Sequence, residues 1–69
     1  MTTLSNAEKK DIIDQHVRSL DYTIYNSELD LLEANAVSSP DATTVANINA
    51  RLTELNAKRT ALLAEKDLL

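Results

Sequence analysis

His16 is the only histidine in the sequence, and three aspartates, Asp11, Asp14 and Asp21, lie near it in the chain. An imidazole held by a carboxylate is a common arrangement for general acid–base work. The spacing here does not deliver it. Two residues apart on a helix means roughly 200° around the axis, so Asp14 and His16 face different ways. There is no cysteine to serve as a nucleophile. Ser5, Ser38 and Ser39 stand where caps or loops are expected, and Ser19 and Ser27 stand inside helical sequence. His16 reads as a boundary residue with local hydrogen bonds, and the expectation is that the chain is not an enzyme.

Glu28, Asp30 and Glu33 form the densest run of carboxylates. A hard cation needs about six to eight oxygens gathered by a loop that turns sharply. Glu28 and Asp30 point to different sides of a helix, and the sequence has no glycine to make such a loop. A solvated acidic face is expected, with no metal and no cofactor. Tyr22 and Tyr25 offer rings for base stacking, yet single-strand binders set their aromatics in a basic groove. No lysine or arginine is expected beside these rings. A net charge of −4 also argues against a nucleic-acid backbone or an anionic membrane as partner. An interface role suits the tyrosines better, because each gives a large apolar area and a hydroxyl at little entropic cost.

The elements that carry these residues are helices. The 69-residue chain has no glycine, one proline and no phenylalanine or tryptophan, while alanine and leucine are plentiful. A chain of this length buries a small share of its surface and usually relies on disulfides, metal or association. Without cysteine, and with one histidine, association is the support left. No apolar run approaches the ~20 residues of a membrane span. "MTTLSNAEKK" lacks a basic region followed by an apolar block, so no secretory signal is expected and the location expected is cytoplasmic.

"NAVSSPDA", residues 35–42, is the one strong interruption. Ser39 suits an N-cap, Pro40 the first helical position, and Asp41 the positive end of the helix dipole. Asn35 suits a left-handed C-cap in the absence of glycine. Ser5 and Glu8 have capping-box spacing. Helix one is placed at about 6–35, the turn at about 36–39 and helix two at about 40–67 of a single domain. The short link predicts an antiparallel hairpin.

Helix two carries a stripe at Val45, Ile48, Leu52, Leu55, Arg59, Leu62, Lys66 and Leu69, with steps that alternate three and four. Arg59 and Lys66 can cover apolar surface with their stems and reach water with their heads. Helix one has a matching stripe at Ile13, Val17, Leu20, Ile24, Ser27, Leu31 and Ala34, widened by Ile12 and His16. These two stripes are the expected intra-hairpin core. Asp14–Arg18 and Glu54–Lys58 have the favourable local pairing order on exposed faces.

A second row on helix one, Tyr22, Tyr25, Leu29 and Leu32, sits roughly 140° around from the first at ~100° per residue. One partner helix cannot cover both rows, so this row is the expected self-interface of a homodimeric four-helix bundle. Between Ser19 and Ala50 there are five acids, Asp21, Glu28, Asp30, Glu33 and Asp41, and no Lys or Arg. That segment is expected to form an acidic tip of about −5, against about +1 for the rest. Tip-to-base pairing would separate like charges, which favours an antiparallel homodimer. The tip is also a candidate surface for a basic patch on another protein.

Over residues 20–42, "LDYTIYNSELDLLEANAVSSPDA", and 52–69, "LTELNAKRTALLAEKDLL", the chain resembles the small uncharacterised helical proteins encoded by tailed marine cyanophages. The shared pattern is leucine- and alanine-rich helix around one Ser-Pro turn, and it covers more than half the chain. The resemblance implies expression in a cyanobacterial host or a place in the virion. It carries no catalytic residues and no agreed activity. The function expected is protein–protein interaction, as a phage accessory protein acting on a host protein. The alternatives are a virion or assembly component docked on a larger phage protein, and an acidic inhibitor that mimics nucleic acid.

Overall fold

A computed structural model describes residues 3–69. Among them are two α-helices and no strand: α1, Asn6–Asn35, and α2, Ala42–Asp67. The two helices pack side by side in a rod of 54 × 17 × 15 Å. No helix among the described residues is long and apolar enough to cross a membrane.

α1 begins with a complete capping box. The Glu8 N–H donates to Ser5 Oγ at 3.1 Å, and the Ser5 N–H donates to Glu8 Oε1 at 3.2 Å. Two of the helix's unpaired N-terminal donors are thereby satisfied by the two residues that the spacing picks out.

The turn departs from expectation at both ends. Asn35 is the last helical residue and not a left-handed cap: the C-cap is Ala36, at φ −78°, ψ −13°, whose N–H bonds to the Glu33 carbonyl at 3.2 Å. No non-glycine residue among those described has a positive φ. A left-handed residue with a Cβ costs roughly 1–2 kcal/mol, and a tightened last turn satisfies the carbonyl without that cost. α2 starts two residues later than expected. Its N-cap is Asp41, not Ser39, and Pro40 stands before the cap and not in the first turn. The Asp41 carboxylate has two oxygens to use. One accepts from the Thr43 N–H at 2.9 Å and the other from the Thr44 hydroxyl at 3.2 Å, and its charge faces the positive helix end. A serine hydroxyl supplies neither the second acceptor nor the charge.

Three ion pairs fix the sense of packing. Lys66 Nζ donates to Asp14 Oδ1 at 2.7 Å, Arg59 Nε to Asp21 Oδ1 at 2.8 Å, and Arg51 Nη1 to Asp30 Oδ2 at 3.4 Å. As the partner on α1 advances, the partner on α2 retreats, so the helices are antiparallel. The paired residue numbers total 80 or 81 in each case, one register along the whole rod.

The core lies between the stripes. Val17, Ile24, Ile48 and Leu55 are buried, and Ser27 is the most enclosed, at 2 % exposure. Ile13, Leu20, Leu31, Ala34, Val45, Leu52, Leu62 and Leu69 are partly buried beside them. Ser27 is small, and it lies in the turn-side half of α1. No large side chain among the described residues is fully enclosed. A single helix contact covers one side of each stripe residue and leaves its edges to solvent, so this core is thin.

Candidate interaction surface

The side chains with chemical potential are dispersed. His16 is exposed on one flank of the hairpin, in a shallow groove with Ser19, Leu20, Lys58, Ala61 and Leu62. Asp14 and Asp21 are drawn to the other helix by Lys66 and Arg59. The stripe explains why: Arg59 and Lys66 occupy core-facing positions, and each places its charged head on the nearest carboxylate across the interface. The local pair expected at Asp14–Arg18 gives way to the Lys66–Asp14 pair across the helices, and Glu54 and Lys58 form no ion pair among the described residues.

The acidic tip needs correction. The register sets Ser19 level with residues near 61 on α2, so the half of the rod nearest the turn spans about residues 19–60. Within it Arg51, Lys58 and Arg59 stand against Asp21, Glu28, Asp30, Glu33, Asp41 and Glu54, a net of −3, and the other half carries −1. The expected −5 and +1 came from dividing α2 at Ala50, a cut that does not match the plane set by Ser19 on α1. Asp21 and Asp30 are engaged with arginines, and Asp41 caps α2. Glu28 and Glu33 are the two acids of the five with neither an ion-pair partner nor a capping role among the described residues.

The second apolar row stands out in the open. Tyr22, Tyr25 and Leu32 are 63 %, 61 % and 66 % exposed, and Leu29 between them is partly buried. A helical side chain lies back over the preceding turn, which for Leu29 is the turn carrying Tyr25. Seven large apolar side chains are exposed among the described residues, and three of them share this one face of α1. Isolated exposed apolar residues such as Val37 in the turn and Leu68 at the end of α2 are ordinary. A contiguous apolar row is the kind of surface that partners cover.

One neighbour of the row was not expected. The Arg18 guanidinium carbon lies 5.5 Å from the centre of the Tyr22 ring, and its Nη2 donates to the Tyr22 hydroxyl at 3.4 Å. Arg18 is four residues before Tyr22, so the i,i+4 rule that explains the other local pairs also identifies this one. Arg18, Asp21, Tyr22 and Tyr25 together line a shallow depression. One cation beside a carboxylate does not make the basic groove that base stacking requires.

Sequence reasoning also missed a groove at the open end of the hairpin. Leu4, Ile12, Ile13 and Leu69 line it, with the stems of Lys9 and Glu65 at its edge. The signal was present in Leu4 just before the Ser5 cap, where an apolar residue packs back onto the first turns of a helix. No protein-family model, curated protein or solved structure matches this chain.

Proposed function

We propose that this protein is a non-enzymatic protein–protein interaction module that associates with itself through Tyr22, Tyr25, Leu29 and Leu32. Two hairpins then form a homodimeric four-helix bundle with antiparallel copies. The observation that carries the reading is the exposure of both tyrosines and Leu32 along one face of α1, beside a hairpin core in which no large side chain among the described residues is fully enclosed. Association supplies what a chain of 69 residues lacks. The resemblance to cyanophage-encoded proteins is compatible with expression in a cyanobacterial host or a place in the virion, and an accessory protein acting on a host protein fits the first.

The second reading keeps the same face and changes the partner: the hairpin docks on a larger virion or assembly protein, and the row is heterotypic. The acidic-decoy reading has less in its favour, because Asp21, Asp30 and Asp41 are occupied within the hairpin. Solution mass by light scattering, over a range of concentration and salt, separates these. The self-association reading expects a mass rising to twice the chain mass of 7.6 kDa. A well-folded monomer at all concentrations overturns it and leaves the row for a different protein. Turnover lost on changing His16 would overturn the non-enzymatic part.

A further inference from the structure

The row has a symmetry that selects one way for two copies to meet. Extended by one step at each end, it reads Arg18, Tyr22, Tyr25, Leu29, Leu32, Ala36, with steps of four, three, four, three, four. That spacing is the same read in either direction, with its centre level with Ser27. A seam of this kind matches itself when a second copy runs the opposite way about a two-fold axis. We infer that two hairpins pair through antiparallel α1 helices with the axis level with Ser27, and that Arg18 of each copy meets Glu33 of the other. The inference rests on the self-association proposed above and adds its register and its charge contact.

In this register the turn-side halves of the two hairpins overlap, so each turn lies level with Arg18 of the other copy and not with its open end. The seam rather than the overall charge sets the sense. Tyr22 faces Leu32 of the second copy and Tyr25 faces Leu29. Each ring lies on an aliphatic side chain, and no ring is forced onto its own equivalent. Arg18 faces Ala36, which is small. Glu33 lies three residues before Ala36, about 4.5 Å along the axis and within reach of an arginine. Arg18 and Glu33 have no ion-pair partner within the hairpin among the described residues, whereas Asp14, Asp21 and Asp30 are all taken. Arg18 already lies over Tyr22, at one end of the row. Parallel pairing would set Arg18 against Arg18 and Glu33 against Glu33, two like-charge contacts.

The area is enough for association of a weak kind. A tyrosine carries roughly 150–250 Å² of buriable surface, so the exposed parts of Tyr22, Tyr25 and Leu32 offer about 350 Å² per copy. With Arg18, Leu29, Glu33 and Ala36 added, the pair approaches the ~1,000–1,200 Å² at the low end of specific interfaces. The dimer is therefore concentration-dependent, and its end contacts matter.

The test is a charge exchange read by light scattering and sedimentation, with circular dichroism to follow the helices. Arg18→Glu alone and Glu33→Arg alone each place two like-charge contacts in the dimer and raise the dissociation constant about tenfold. The double variant R18E/E33R restores it to within about threefold of the unaltered chain. Cross-linking reports the sense independently, since the chain has no cysteine. Tyr22→Cys and Leu32→Cys chains form a disulfide when mixed and not when oxidised separately. In the antiparallel register the two copies of position 22 stand about 15 Å apart along the axis, beyond disulfide reach. If the unaltered chain dimerises but the double exchange gives no rescue, or each cysteine variant cross-links to itself, the register is wrong and self-association stands. A monomeric unaltered chain overturns both.

Discussion

The double substitution Tyr25→Asp/Leu29→Asp bears most directly on the proposed association. Tyr25 is 61 % exposed in the hairpin. At roughly 200 Å² for a whole ring and ~25 cal/mol per Å², covering its exposed part stabilises a dimer by about 3 kcal/mol per copy as an upper bound. Leu29 adds less because it is already partly buried. Association costs consume much of such a sum, so half of it for each of two copies is a fair working value, about 3 kcal/mol in all. Four carboxylates forced into the seam act in the same direction. The dissociation constant should rise at least a hundredfold. Both positions lie on the side of α1 away from α2, so the hairpin itself should keep its helix content. Light scattering on the variant at concentrations where the unaltered chain is dimeric should return one chain mass, with an unchanged far-ultraviolet dichroism spectrum. A variant that keeps the mass of a dimer would sink the two-face argument.

Three further outcomes test the hairpin. Leu55→Ala, at a buried site facing α1, should cost about 2–3 kcal/mol in thermal or denaturant unfolding, because a thin core loses one of its four buried apolar side chains. Asp41→Ala should cost about 1 kcal/mol while Ser39→Ala costs almost nothing, and equal losses in unfolding experiments would put the cap elsewhere. Changing Asp21, Glu28, Asp30, Glu33 and Asp41 to the matching amides should leave the hairpin folded by circular dichroism. Its ion pairs are half-exposed and worth at most about 1 kcal/mol each, and asparagine still caps a helix; a chain that unfolds would show that these acids are structural.

The parts of this architecture that follow from periodicity were legible in the sequence. Steps of three and four from Ile13 to Ala34 and from Val45 to Leu69 mark the sides of α1 and α2 that lie against each other, because a straight helix presents such positions on one face whatever it meets. Ser5 and Glu8 were readable for a similar reason: their hydrogen bonds span one turn. What depends on the pairing of two helices was not readable. The charge distribution turned on whether Ser19 lies level with Ala50 or with residue 61, and only the cross-helix register decides that. The turn misled because Ser38, Ser39 and Asp41 are all acceptable caps in sequence, and the choice falls on the side chain that satisfies two donors at once. Arg18 beside Tyr22 follows from i,i+4 spacing, but Arg18 stands one residue outside the cation-free segment that begins at Ser19, which hid it from the charge pattern.

The outer face of α2 gives a reason for α1 to meet α1. Ala46, Ala50, Ala57 and Ala64 are exposed on α2, and Ala61 borders the groove beside His16, so the outside of α2 carries small side chains where the outside of α1 is ridged. A Tyr–Leu row from one copy laid on that alanine face of another is the competing arrangement. It differs in closure. The second copy in such a contact still presents its own row, and the first still presents its own alanine face, so growth continues without end. Contact between two α1 rows uses the same surface on both copies and leaves nothing to extend. It also places Arg18 near Glu33, whereas the α2 contact leaves both without each other. The mass of the unaltered chain at rising concentration distinguishes them: a plateau at two chains requires the closed contact, and a mass that climbs past two requires the open one.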